Sequence, residues 1–69
     1  MDKNELKKVI YKTQPIAILL NVRKDGLSYA ASVDNKIVKF FIPYDEIGEV
    51  VWFAEMPAKL LIRYLIDVD

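Results

Sequence analysis

The sequence predicts an α+β fold, and three observations support this class. A β-meander occupies the centre of the chain, an amphipathic helical pattern precedes it, and an apolar segment that can form a second helix follows it. The 69 residues include only two glycines and three prolines, so we expect one compact domain spanning residues 1–69. A chain of this size buries only about 60% of the surface that it exposes when unfolded, and its stability margin is thin.

Two turn signals, Asp25-Gly26 and Asp34-Asn35, divide residues 16–42 into three strands. Placed at the centres of two-residue hairpins, they set Val22 opposite Tyr29 and Tyr29 opposite Phe40. Side chains alternate between the faces of a strand, so this register predicts one apolar face made of Ile16, Ile18, Leu20, Val22, Leu27, Tyr29, Ala31, Val33, Val38, Phe40 and Ile42. The second face then carries Ala17, Leu19, Asn21, Arg23, Ser28, Ala30, Ser32, Ile37, Lys39 and Phe41.

Residues 2–13 show the pattern of a short amphipathic helix. Asp2 or Asn4 suits the N-cap, and Gln14-Pro15 ends the helix because the residue before proline avoids helical angles. Its apolar face is Leu6, Val9, Ile10 and Thr13. The alternative is a strand over residues 8–12, where β-prone side chains cluster.

The chain after the meander predicts three further elements. Residues 43–48 suit one helical turn, because proline begins it, acids follow and glycine ends it. Residues 49–53 are strongly β-prone and predict a fourth strand. Residues 57–66 predict a C-terminal helix packed on the apolar face of the sheet, and the competing interpretation is a strand over residues 62–68.

Composition gives expectations about location and catalysis. No apolar run approaches the roughly 20 residues of a membrane span, and the N-terminus carries acids without an apolar core, so we expect a cytoplasmic protein with no membrane partner. Without histidine or cysteine, the familiar nucleophile–base pairs cannot form within this chain. We therefore expect no enzyme activity and no cofactor. The acids near Tyr44, namely Asp45, Glu46 and Glu49, match no known metal-binding loop and suit the start of a helical turn.

The preferred functional hypothesis is a non-enzymatic protein-interaction or self-associating domain, with a homodimer as the expected assembly. Apolar residues make up 54% of a chain that has little interior, although a compact monomer with a dense core remains an alternative. Aromatic and methionine residues are enriched at interface centres. The last third of the chain supplies such a group, and the predicted interface is Trp52, Phe53, Met56, Leu60 and Tyr64.

The alternative is a small nucleic-acid-binding protein that uses a basic face of its sheet. Residues 1–42 carry eight basic and four acidic side chains, whereas residues 43–69 carry two and six. A basic rim beside an aromatic ring can attract phosphates and stack bases. The candidate residues are Arg23, Lys24, Lys36, Lys39 and Phe41. A zero net charge and an isoelectric point near 6.2 argue against this alternative.

Overall fold

The computed structural model describes residues 2–47 and 53–68, and it confirms the α+β class. Within these residues, five strands form one antiparallel sheet in the order β4-β1-β2-β3-β5. The elements in chain order are α1 (Lys3–Thr13), β1 (Ile16–Val22), β2 (Gly26–Val33), β3 (Lys36–Pro43), α2 (Tyr44–Ile47), β4 (Glu55–Pro57), a 3₁₀ helix (Ala58–Tyr64) and β5 (Leu65–Val68).

The predicted N-terminal helix is confirmed as α1. Asp2 is the N-cap, and its carboxylate accepts a hydrogen bond of 2.8 Å from the backbone N–H of Glu5. Gln14 ends the helix in the left-handed conformation, with φ 49°, and its N–H donates to the carbonyl of Ile10 at 2.9 Å. Leu6 and Ile10 are buried, so the apolar stripe of α1 faces the sheet.

The β2–β3 hairpin has the predicted register. Asp34 and Asn35 form its turn with φ of 53° and 64°, the left-handed values that a tight hairpin turn requires at both central positions. Tyr29 lies opposite Phe40 as expected. All the residues that these two strands were predicted to bury are buried: Leu27, Tyr29, Ala31, Val33, Val38, Phe40 and Ile42.

The predicted position of the first turn, at Asp25-Gly26, is wrong by one residue. The N–H of Arg23 donates to the carbonyl of Gly26 at 2.8 Å, so the two residues between them form the turn. Val22 therefore lies opposite Leu27 instead of Tyr29. A glycine is still required here, because Gly26 belongs to β2 and its backbone packs tightly against β3.

The predicted orientation of β1 is also wrong, because a β-bulge interrupts the strand at Leu20. The register with β2 shifts between Leu19 and Asn21, and the extra residue reverses the alternation of side chains before it. Ala17 is buried and Leu19 half-buried, although both were assigned to the opposite face. The residues of β1 that were predicted to be buried are all exposed: Ile16, Ile18, Leu20 and Val22.

The C-terminal segment combines the two interpretations that its sequence allows. A helix is present, but it is a 3₁₀ helix of residues Ala58–Tyr64 and ends two residues before the predicted limit. Residues Leu65–Val68 form β5, which pairs with β3 through Val38 opposite Val68 and Lys39 opposite Asp67. Pairing along the free edge of β3 therefore overrides the local helical pattern, as tertiary context often does.

The segment between β3 and β4 is described in part. The predicted helical turn is present as α2, over Tyr44–Ile47. The predicted strand at residues 49–53 falls largely on residues 48–52, which lie outside the described residues, and Phe53 belongs to no strand.

The helices leave the two faces of the sheet in different environments. Leu6 and Ile10 of α1, together with Ala58 and Leu61 of the 3₁₀ helix, pack in one buried cluster with the inward side chains of β2 and β3. We call this the inner face and the opposite side the outer face. The longest described helix has 11 residues, and none has the length and apolar character needed to cross a bilayer.

Candidate protein-interaction surface

The outer face carries a cluster of large aliphatic side chains. We call it the outer patch and define it as Ile16, Ile18, Leu20, Ile37 and Ile66. Their exposed fractions are 51, 52, 60, 45 and 62% in that order. Antiparallel sheets that leave one face in water usually carry polar residues there. A contiguous apolar cluster in this position therefore needs a physical explanation.

The outer patch is corrugated. On β1, Ile16, Ile18 and Leu20 share one side by the ordinary alternation of a strand, and the bulge at Leu20 places that side on the outer face, so three branched side chains form a ridge. The neighbouring strand β2 presents only small outward residues, which are Ser28, Ala30 and Ser32. Between the ridge and Ile37 of β3 lies an open hollow of about 460 Å³, with Ala30 and Ser32 in its floor.

Charged residues lie beside the aliphatic side chains of the outer patch as pairs of opposite sign, and one of them, Lys39, shares a row with Ile18 and Ala30. The Nε atom of Arg23 lies 3.6 Å from a carboxylate oxygen of Asp25, and the Arg23 guanidinium lies 5.6 Å from the centre of the Phe41 ring. Lys39 on β3 lies opposite Asp67 on β5. These pairs therefore have no excess of positive charge.

The five residues of the predicted nucleic-acid face do not form one patch. Arg23 and Phe41 are in contact. Lys24 and Lys36, however, lie at the turns at opposite ends of β2. A strand of eight residues separates these ends by roughly 25 Å.

Three residues of the predicted C-terminal interface line a second, more enclosed groove. Met56, Leu60 and Tyr64 surround a cavity of about 330 Å³, beneath which lie the inner-face residues Leu27 and Tyr29. Met56 and Tyr64 are half-buried, whereas Leu60 is 59% exposed. Trp52, the fourth member, lies outside the described residues.

Phe53, the fifth member of that predicted interface, has a structural contact with the core. Its carbonyl accepts a hydrogen bond of 2.7 Å from the phenol of Tyr29, while its ring is 58% exposed. Tyr29 is fully buried, and this burial raises the pKa of its phenol above the ordinary value. The hydrogen bond satisfies the phenol oxygen of this fully buried residue.

Glu46 of α2 contributes the polar side of the groove. One of its carboxylate oxygens lies 3.8 Å from a guanidinium nitrogen of Arg63 and 3.5 Å from the phenol oxygen of Tyr64. Asp45 is exposed beside it, and Glu49 lies outside the described residues. In the described part of the chain, no three acidic residues come close enough to hold a metal ion.

The outer patch is the feature that sequence reasoning missed. Its position depends on the bulge at Leu20, which the two turn signals do not reveal. One signal was present in the sequence, since residues 16–20 are apolar without interruption. Such a run indicates a strand that is apolar on both faces. The predicted register places only one of these two faces in the core.

Comparison with protein families, with curated proteins and with solved structures finds no match to this chain.

Proposed function

We propose that this chain is a non-enzymatic protein-interaction or self-associating domain that acts through its outer patch. The observation that carries the proposal is the exposure of Ile16, Ile18 and Leu20 in one row on the face that the described helices leave bare. Removing apolar surface from water releases about 25 cal/mol per Å². A partner that covers this row recovers free energy that folding of the single chain leaves unused.

The groove lined by Met56, Leu60 and Tyr64, which we call the C-terminal groove, supports the same function less strongly. Met56 and Tyr64 are half-buried and already pack against the core, and Glu46 places a charge at the rim. The exposed apolar surface of this groove rests mainly on Leu60, whereas the outer patch combines five exposed aliphatic side chains. Leu60 is its most exposed large side chain and provides the test of this surface.

Nucleic-acid binding is the alternative function, and the structure lends it limited support. The Arg23 guanidinium over Phe41 resembles a stacking platform. The same arginine is already paired with Asp25, and Lys39 lies opposite Asp67, so phosphate groups would meet acids next to both cations. Binding to a polyanion requires an excess of positive charge that this face lacks.

A capture experiment with matched variants tests the proposal. Tagged chain is incubated with extract of its source cells, with and without nuclease, and an untagged copy is added so that self-association is also scored. Ile18→Lys, Leu60→Lys and Tyr11→Lys each place the same charge on an exposed apolar residue, and Tyr11 lies on α1 away from the outer face.

The expected result is capture of a protein that survives nuclease, is lost with Ile18→Lys and persists with the other two variants. Loss with Leu60→Lys alone assigns the interaction to the C-terminal groove and contradicts the outer patch. Capture that disappears with nuclease favours the nucleic-acid alternative and also contradicts the proposal.

A further inference from the structure

We propose that the partner of the outer patch is a second copy of this chain, packed sheet against sheet about a two-fold axis. This inference rests on the proposed function and names its partner. It is argued from the shape, the charge and the area of the outer face.

The shape of the outer face is complementary to itself. The ridge of Ile16, Ile18 and Leu20 on β1 lies one strand away from the small residues of β2, which is a separation of about 4.8 Å. A two-fold axis that runs between β1 and β2, parallel to both, places β1 of each copy over β2 of its partner. The ridge of each copy then fills the hollow of the other, so the dimer contains two equivalent ridge-in-hollow contacts.

This axis also fixes which residues meet. Rotation about an axis parallel to the strands leaves the position of each residue along the strand direction unchanged. Ile18 lies opposite Ala30 within its own sheet, so it also lies over the partner subunit's Ala30. The two sheets then pack about 10 Å apart in the aligned manner of a β-sandwich, with α1 and the 3₁₀ helix of each copy on the outside.

The charges on the outer face favour a second copy over a charged partner. An interface about a two-fold axis brings the same patch together from both sides, so an excess of either sign would repel. The charges of the outer face are instead balanced, with Arg23 beside Asp25, and Lys39, in the row of Ile18 and Ala30, opposite Asp67. A face with aliphatic residues and paired charges of both signs matches its own copy better than it matches a strongly acidic or basic partner.

The available area sets the strength of the contact. With this axis, strands β4, β1, β2 and β3 of one copy lie over the same four strands of the other. Seen in projection, the contact area on each copy is roughly 400 Å². Two copies together bury roughly 800–1,000 Å², which is near the lower limit for a specific interface. We therefore expect a reversible dimer with a dissociation constant of micromolar order, in which Ile66 on β5 lies at the rim.

Sedimentation equilibrium of the full chain from roughly 1 μM to 1 mM tests this proposal. The wild type is expected to pass from monomer to dimer over this range. Ile18→Lys is expected to weaken the dimer by about 100-fold or more, because both copies lose a buried aliphatic side chain and gain a charge in the contact. Tyr11→Lys, on the other side of the molecule, is expected to leave the dissociation constant unchanged. Circular dichroism checks that each variant is folded, and Ile18→Thr replaces Ile18→Lys if the lysine prevents folding.

A cross-linking arm tests the axis itself. The sequence contains no cysteine, so single thiols can be placed at will. Ile18→Cys and Ala30→Cys chains are mixed and treated with a bifunctional maleimide about 10 Å long, which is the spacing of packed sheets. The mixed 18–30 product is expected to exceed the 37–37 product of Ile37→Cys chains, because this axis leaves the two Ile37 positions about three strand spacings apart across the contact, with Tyr11→Cys as the control that stays uncoupled.

A wild type that stays monomeric over the whole range overturns the inference, and so does a dimer that Ile18→Lys leaves intact. If the monomeric chain still captures another protein through Ile18, the proposed function stands and only the identity of the partner is wrong. If it captures nothing, the proposed function fails as well.

Discussion

Both faces of the sheet carry large apolar side chains, yet only one of them is covered within the described residues. On the inner face, Tyr29 and Phe40 are fully buried beneath α1 and the 3₁₀ helix. On the outer face, Ile18 and Leu20 are more than half exposed. Hydrophobic side chains alone therefore do not define the core. The core is defined by the elements that cover the sheet, and the described helices cover only the inner face.

The two faces also draw their apolar side chains from different strands, and the position of the bulge explains this difference. The inner face draws on β2 and β3, whose side chains alternate regularly from one end to the other. The outer patch depends on β1, where the bulge at Leu20 turns three aliphatic residues outward and leaves Ala17 and Leu19 as the buried or half-buried side chains of this strand. The inner face thus supplies stability, and the outer face is available for interaction.

The largest expected difference between the faces is in the cost of truncation. Phe40→Ala should lower the free energy of unfolding by about 3–5 kcal/mol, because it leaves a cavity in the core. Ile37→Ala, on the same strand but on the outer face, should lower it by less than about 1 kcal/mol in the monomer. Urea denaturation at low micromolar concentration measures both. Equal losses would show that the outer face is also part of the monomer core.

A second substitution tests how tightly the two central strands approach each other. A Cβ atom at Gly26 would collide with the backbone carbonyl of Ile42 and would lie 2.6 Å from the Phe41 ring. Because backbone atoms cannot give way as a flexible side chain does, Gly26→Ala should cost about 1–3 kcal/mol. Ser32→Ala, exposed on the same strand, is the control, and denaturation curves of the two should separate clearly. A Gly26→Ala chain as stable as wild type would contradict this packing.

The helix that covers the inner face can be weakened at its first residue. Asp2→Ala removes the acceptor for the Glu5 N–H and should cost about 1 kcal/mol. Asn4→Ala, within the first turn of α1, serves as the control because Asp2 already caps the helix. Thermal denaturation followed by circular dichroism compares them. A larger loss with Asn4→Ala than with Asp2→Ala would mean that the cap is misassigned.

The smallest effect concerns the single polar contact of the inner face, and it depends on pH. Tyr29→Phe removes the hydrogen bond to the Phe53 carbonyl and should cost about 1 kcal/mol near neutral pH. Burial raises the pKa of the Tyr29 phenol in the folded chain, so above about pH 10 the unfolded chain loses this proton first. The wild type should therefore lose stability with rising pH there, and more steeply than Tyr29→Phe. Parallel slopes for the wild type and Tyr29→Phe would contradict this assignment.

Local signals in the sequence predicted those parts of the fold that local interactions decide. The cap at Asp2 and the turn at Asp34-Asn35 depend on side chains within a few residues, and both were placed correctly. The bulge at Leu20 and the pairing of β5 with the edge of β3 depend on long-range contacts, which a single sequence does not display. Composition indicated a large share of apolar residues for a chain of this size, and the structure leaves several of them exposed on the outer face. Which surface collects them follows from the bulge.

The most direct test of the central claim is an NMR dilution series of the chain carrying isotope-labelled isoleucine methyl groups. Ile16, Ile18 and Ile37 face the proposed partner, whereas Ile10 and Ile42 are buried in the core of each copy. The account predicts that the NMR signals of the first three methyl groups shift together as the chain is diluted, that Ile66 at the rim shifts less, and that the core signals stay fixed. Concentration-dependent shifts confined to Ile47, which lines the C-terminal groove, would contradict this expectation, as would signals that do not change at all.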